Sequence, residues 1–360
     1  MEIVDTHEQA AELELPPLLI LKPLEEYFDR QGLGSGPIEA ERIGEGHSNV
    51  TFLIKRGDDR FVLRRPPRPP IPPSANDVLR EARLLIPLQH AAVRTPEVLA
   101  ACDDESVLGM PFYVMPFMDG DVITTEVPAE LDTPQERRRI CEQLIDALVE
   151  VHAVDWRATE LERYASRADG YLDRQLQRFL GLWEYNKTRE LPVVQEIGEW
   201  LTTHKPESPP ATIVHGDFRL GNTMFAHGAP AHLIAIFDWE MATVGDPLAD
   251  LGYMTATWSE PQESERKETT FDRMTVTHGE GFMQRDELVA RYEERTGRSM
   301  SDLRWYQALA LWKAAVFMEG NYKRSLAGAS DDPYLKLFDV GVPQLAEAAL
   351  EITKLPAPST

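Results

Sequence analysis

The segment His215-Gly216-Asp217-Phe218-Arg219-Leu220-Gly221-Asn222 is followed, sixteen residues after Asn222, by Asp238, which closes the apolar run Leu233-Ile234-Ala235-Ile236-Phe237. No other feature of the chain constrains its fold as tightly. Two short β-rich runs, Ala211-Thr212-Ile213-Val214 and Leu233 to Phe237, must each end in a turn that presents a carboxylate, and a buried strand presents such a group rigidly. A lone Asp after a strand is commonly a cap or an Asx-turn. The whole set, with Asp246-Pro247 and Asp250-Leu251 downstream, suits one chemistry. Moving a phosphoryl group from a nucleotide to a hydroxyl requires a carboxylate to hold the incoming O–H and Mg²⁺ to draw charge off the phosphate oxygens. Asp217 suits the first role, so it is the catalytic candidate. Mg²⁺ prefers oxygen ligands and keeps several waters, so one amide and one carboxylate suffice; Asn222 and Asp238 are the metal candidates. His215 is expected to order the loop backbone through its imidazole.

The four residues between Asp217 and Asn222 match the spacing of the protein-kinase catalytic loop. With HGDxxxxN in place of HRDxxxxN, the chain resembles the aminoglycoside phosphotransferase and choline kinase family of small-molecule kinases, from about residue 38 to about residue 325. The resemblance implies an α+β, bilobal protein-kinase-like fold with a small β-rich N-lobe and a larger, mainly helical C-lobe. It also implies ATP and Mg²⁺ as cofactors, Asp217 as base, and Asn222 and Asp238 as metal ligands. The run Phe61-Val62-Leu63-Arg64-Arg65-Pro66-Pro67, with Pro73-Ser74-Ala75 and Arg80-Glu81 beyond it, resembles kinase-like domains fused to acyl-CoA dehydrogenases.

Three regions follow: residues 1–37 as a loose acidic tail and short helix, 38–118 as a nucleotide-binding N-lobe, and 119–360 as a catalytic and acceptor-binding C-lobe. Two strands, Ile38 to Ile43 and Val50 to Ile54, flank a hairpin loop whose Gly44, Gly46, Ser48 and Asn49 are nucleotide-binding candidates, with Asn49 where a third glycine would stand. Arg64 occupies the place of the phosphate-binding lysine; its planar fork can bind phosphate oxygens in pairs. Glu81, on a helix from Asn76 to Leu88, is its expected ion-pair partner. The proline run from Pro66 to Pro73 reads as a stiff loop. The run from Val107 to Met115 reads as a strand leading to a hinge, where backbone groups of Met115 and Phe117 would read the adenine edge.

Beyond the hinge, helices are expected over about Pro134 to Val154, 169 to 203, 284 to 297 and 301 to 327. His152 is read as structural, and Asp246 and Asp250 either brace the catalytic loop or cap a helix. Residues 259 to 275 are polar and read as a loop or lid. Trp258, Glu319 and Tyr322 are the acceptor-site candidates, although aromatic residues at helical spacing are more often core. A net charge of -23 would repel a phosphate backbone, so nucleic acid is an unexpected partner and a cationic acceptor would be favoured. No apolar run is long enough for a membrane span, and the acidic start lacks a secretory pattern, which makes the cytoplasm the expected location. Cys102 and Cys141 lack metal spacing and read as reduced, buried hydrophobes. A pseudokinase without turnover remains the competing class, and an amino alcohol or hydroxyacyl thioester the competing acceptor.

Overall fold

The computed structural model describes residues 2–44, 49–69, 71, 76–261, 275–328 and 333–355. The chain separates into two compact units, one formed by the chain up to Asp119 together with Ala235–Glu240, the other by Gly120–Ile234 and Met241–Thr360.

The first unit begins with order where a loose tail was expected. Strand β1 (Ile3–Val4) pairs in parallel with β2 (Leu19–Ile20), and between them α1 (His7–Ala11) starts at a reciprocal cap made by Thr6 and Gln9. Val4, Leu18, Leu19 and Ile20 join Phe28, Phe52, Phe61 and Phe112 in one apolar cluster. The acidic composition hid this, because only one dipeptide per strand does the pairing. Arg65, itself buried, donates to the Leu18 carbonyl, and Arg68 donates to Pro16 at 2.6 Å, tying the segment down. Helix α2 (Leu21–Gln31) buries Leu24, Tyr27 and Phe28 on one face and ends at Gly32, whose φ of 70° only glycine adopts without strain.

An antiparallel sheet follows, ordered β3-β4-β5-β7-β6. Strands β3 (Ile38–Ile43), β4 (Val50–Arg56) and β5 (Asp59–Arg65) pair in sequence, and helix α3 (Val78–Leu88) starts where the Asp77 carboxylate accepts from the Arg80 N–H. Strand β6 (Ala100–Cys102) lies at the edge. Val107 and Leu108 belong not to a strand but to the single turn α4 (Glu105–Leu108), because Asp104 caps it and Gly109, at φ 74°, stops it. Strand β7 (Phe112–Pro116) then pairs with β5, setting Met115 opposite Val62 and Tyr113 opposite Arg64.

The second unit opens with β8 (Asp121–Val122) and the long helix α5 (Pro134–His152). The expected helical stretch from 169 to 203 is two helices, α6 (Tyr171–Asn186) and α7 (Pro192–Thr203), because Lys187 leaves helical geometry and Pro192 opens a new first turn. Strands β9 (Thr212–Val214) and β10 (Thr223–Phe225) flank the HGD loop. Strand β11 (Leu233–Ile236) leads to Asp238, and β12 (Thr243–Gly245) returns to pair with β9. The unit closes with α8 (Leu248–Thr257), α9 (Arg285–Thr296), α10 (Leu303–Leu326) and α11 (Phe338–Lys354), the last not anticipated from the sequence. Helix α10 buries residues all round its axis because α6, α7, α8 and α11 pack on it. Among the described residues no helix is long and apolar enough to cross a membrane.

Candidate active site

Strand β9 delivers His215 into a turn that only glycine can make at the next position. Gly216 has φ 89°, and a Cβ there would fall 2.8 Å from the Met241 Cβ. The turn is clamped from below by Asp250, on the first turn of α8. One carboxylate oxygen accepts the Gly216 N–H at 2.7 Å and the other accepts the His215 N–H at 2.7 Å and His152 Nε2 at 3.1 Å. His152 Nδ1 lies 2.6 Å from the Tyr292 hydroxyl. A carboxylate can only accept, so Nε2 carries the hydrogen and Nδ1 accepts from Tyr292. Burial lowers the His152 pKa and outweighs the Asp250 charge, which keeps the ring neutral. Burial pushes the Asp250 carboxyl up, but the hydrogen bonds donated by His152 and by the Gly216 and His215 N–H groups hold it below the usual range.

The Asp217 N–H donates to His215 Nδ1 at 3.2 Å, so the imidazole orders the loop backbone. Asn222 donates from one amide nitrogen to both the Asp217 carbonyl and its Oδ2, each at 2.8 Å. This fixes the Asp217 carboxylate, whose side chain stays 25% exposed, and turns the Asn222 amide oxygen the other way. Asp246 does the other work anticipated for the pair: it accepts from the Leu248 N–H at 3.0 Å and the Tyr306 hydroxyl at 2.7 Å. Of the two aspartates, then, Asp250 braces the loop, while Asp246, just ahead of the Pro247 cap, ties the start of α8 to Tyr306.

The first unit holds the second group of candidates. Asp238 sits at φ 65°, a left-handed conformation that is strained for a residue with a Cβ and that clusters at functional turns. Arg64 donates to Asp238 at 2.7 Å, lies 3.1 Å from Glu81 and 3.8 Å from Glu240. The Glu81 contact is an ion pair rather than an aligned hydrogen bond. Burial works against the Arg64 charge, but Glu81, Tyr113, Asp238 and Glu240 outweigh it and raise its pKa. The Glu81 carboxyl is pushed up to about 7 by burial, with Arg64 opposing and Asp238 and Glu240 adding to the rise. One guanidinium thus faces three carboxylates, an excess of negative charge suited to a cation that brings phosphate oxygens with it. Among the described residues no three His, Cys, Asp or Glu side chains form a self-sufficient metal site.

Glu240 was not anticipated, although a second carboxylate two residues after Asp238 was a visible signal. It accepts from the Asn49 amide at 3.2 Å, and its carbonyl accepts from Arg80 at 3.0 Å. Asn49, nearly buried, also accepts from Asn76 at 3.3 Å. Its side chain therefore links the loop base to the Asp238 turn. Gly44 has φ 75°, while Gly46 and Ser48 lie outside the described residues. Met115 is buried on β7, and the Phe117 N–H donates to the Arg60 carbonyl at 3.1 Å while the Arg60 guanidinium covers its ring at 4.3 Å.

The acceptor-site candidates lie in bracing contacts instead. Trp258 is buried and donates to the Met283 carbonyl at 3.1 Å. Glu319, fully buried, accepts from the Thr188 N–H and hydroxyl at 2.9 and 2.6 Å and from Arg189 at 3.2 Å, and Tyr322 lies 5.0 Å beneath the Arg189 guanidinium. These contacts tie α10 to the turn after α6, the structural outcome that helical spacing favours. Most of the polar stretch from 259 to 275 and part of the proline run lie outside the described residues. Cys102 and Cys141 are buried free thiols.

The chain is similar to several known proteins. The mouse acyl-CoA dehydrogenase family member 10 is 32% identical over 295 residues, covering 82% of this chain and 27% of that protein. The chain spans less than half the length of the curated relatives it matches most strongly. A solved Ralstonia eutropha protein, provisionally described as an aminoglycoside phosphotransferase, is similar at 28% identity and a TM-score of 0.77, covering 92% of this chain and 98% of that one. A thermostable mutant of an aminoglycoside phosphotransferase, solved with ADP and hygromycin B, shares the fold at a TM-score of 0.55 and 14% identity, covering 93% of this chain and 100% of that one. The protein-kinase-like α+β fold expected from the sequence is thereby established. The profile described as "Phosphotransferase enzyme family" matches residues 39–306, and the chain belongs to that family.

Proposed function

We propose that the protein is a kinase that uses ATP and Mg²⁺ to phosphorylate a hydroxyl group of a small molecule. The observation that carries this reading is the Asn222 amide held against Asp217. Bonds of 2.8 Å donated to the Asp217 carbonyl and to its Oδ2 hold the residue in place while leaving the carboxylate partly exposed, the state a group needs to accept a hydrogen bond from an incoming hydroxyl. Asp217 then orients the hydroxyl and takes its proton late in the transfer. Asn222 and Asp238 are the residues that would hold Mg²⁺, which when bound draws charge off the β- and γ-phosphate oxygens. Arg64, kept charged by Glu81, serves as the ligand of the α- and β-phosphates, and the base of the loop at Gly44 to Asn49 restrains the nucleotide. The ADP complex of the aminoglycoside phosphotransferase neighbour supports a nucleotide as donor.

Substitution separates these roles. Asp217→Asn should abolish transfer while ATP affinity, measured by calorimetry with Mg²⁺ present, stays within about threefold, since a contact made only in the transition state costs turnover and not binding. Asp238→Ala should weaken Mg·ATP binding by about tenfold or more, the scale of a lost charged ligand. Equal, mild effects of both changes would remove the assignment. Saturable Mg·ATP binding with no transfer to any acceptor would favour a binding protein without turnover.

A further inference from the structure

We propose that Arg219 is a second catalytic residue, whose guanidinium binds the oxygens of the phosphoryl group during transfer; this rests on the phosphotransferase reading above and deepens it. Arg219 follows Asp217 by two residues, at a position that the pattern HGDxxxxN leaves open. Its Nε lies 3.7 Å from Asp217 Oδ1, with the side chain 39% exposed. That separation makes an ion pair and is too long for a hydrogen bond. Nε is closed off from solvent yet has no hydrogen-bond partner, and no N–H of the guanidinium is bonded to another described residue. The other Asp217 oxygen, Oδ2, is held by Asn222 at 2.8 Å. Asn222 thus does the bracing, and the donors of Arg219 are not spent on the loop. An arginine used only to tie down a carboxylate closes on it with aligned bonds, as Arg137 does on Asp132 from both Nε and Nη2.

The loop also makes room for the cation. Arg219 has extended backbone ahead of the turn Leu220–Asn222, and its side chain folds back over Gly221. A Cβ on Gly221 would fall 3.2 Å from Arg219 Nη1 and 3.7 Å from its Cζ, so a larger residue would push the guanidinium aside. Distances then bring the group to the reaction. A base lies about 2.6–3.2 Å from the attacking hydroxyl oxygen, and that oxygen about 3–3.5 Å from the phosphorus. The phosphorus therefore passes within roughly 5–7 Å of the Asp217 carboxylate, with its outer oxygens closer on one side. A guanidinium that already stands 3.7 Å from this carboxylate reaches those oxygens by rotation of its own side chain. In the transfer the acceptor oxygen bonds to phosphorus, the bond to the bridging oxygen breaks with its electron pair leaving on ADP, and the hydroxyl proton passes to Asp217. Arg219 keeps its protons throughout. Charge spreads over three phosphoryl oxygens at that moment, and a planar fork can meet two of them at once.

The test is calorimetric binding of ADP, Mg²⁺ and aluminium fluoride, which mimics the phosphoryl group in transfer, to the full chain without acceptor. Aluminium fluoride should tighten ADP binding to the wild type by about tenfold or more, and Arg219→Met should lose that gain while its affinity for Mg·ADP alone stays within about threefold. A residue that only positioned Asp217 would leave the gain intact, because no proton moves in this complex. A gain retained by Arg219→Met, a wild type without any gain, or a matching loss of affinity for ADP alone would each overturn the proposal. Where transfer is measured, Arg219→Met should lower kcat by about 100-fold with KM for ATP within threefold, and Arg219→Lys, which keeps the charge but not the fork, should recover about tenfold of that. An unchanged kcat would also overturn it. A gain that depends on Arg219 in a protein that phosphorylates no acceptor would uphold the role of Arg219 and remove the kinase reading instead.

Discussion

Asp250→Asn is isosteric, yet the structure makes it severe. The carboxylate accepts three hydrogen bonds, from Gly216, His215 and His152, and is fully buried. The amide that replaces it has one accepting oxygen and one nitrogen that can only donate. If the nitrogen faced His152 and His215, two bonds would be lost, so it turns to Gly216 and loses one, setting two donors against each other. A hydrogen bond to a charged group is worth about 1.5–3 kcal/mol, and the other two would each weaken by about 0.5–1 kcal/mol on becoming neutral. The sum is about 2.5–5 kcal/mol. A unit of this size converts that into a fall in Tm of about 5–20 °C. Because the lost bond holds Gly216, the residue before Asp217, kcat should fall by about 100-fold with little change in the affinity for Mg·ATP. Differential scanning calorimetry and steady-state kinetics read the two quantities. A loss of stability below about 1 kcal/mol, or turnover within twofold of wild type, would refute the argument that Asp250 positions the loop by accepting from it.

The remaining predictions rest on the same two regions. Gly216→Ala should destabilise by about 2–4 kcal/mol, since alanine is strained at φ 89° and meets Met241; urea unfolding measures it, and a neutral effect would exclude the tight turn. Glu81, pushed up to about 7 from 4.5, prefers its acid form in the fold. Its contribution to stability is whole below pH 4.5 and is lost as the pH rises through 7, by about 3 kcal/mol if the group titrates alone. Glu81→Gln should therefore flatten that limb of the pH–stability curve; parallel curves for the two proteins would disprove it. Arg64→Met leaves Glu81 buried without its counter-charge and should cost about 3–5 kcal/mol, seen by chemical denaturation above pH 7, where a cost under 1 kcal/mol would show the pair to be dispensable.

The contact between Asp217 and Asn222 was legible because it is local: the two lie five residues apart, and a tight turn brings them together whatever packs outside. Asp238 was legible for a similar reason, at the end of an apolar strand. Glu240 and Asn49 were harder to read, since their meeting at 3.2 Å depends on a pairing across almost two hundred residues of chain. The ordered N-terminus escaped notice because two-residue strands carry no periodicity, and their stability comes from Leu18 to Ile20 entering a core built by distant strands. Glu319 and Trp258 attracted attention as unusual residues on helices, and only packing showed that their polar atoms already had partners.

By itself the sequence determined the family, the fold class and most of the strands and helices that surround the HGD loop, because spacing within a turn, alternation along a strand and a cap at a helix start are local properties of the chain. Tertiary structure alone decided which charges are satisfied. Asp250 is held by hydrogen bonds from backbone N–H groups and His152, and Arg64 is shared among three carboxylates. Electrostatic energy depends on distance and burial rather than on order along the chain, so a total of -23 could not foretell where the chain gathers three carboxylates around one guanidinium.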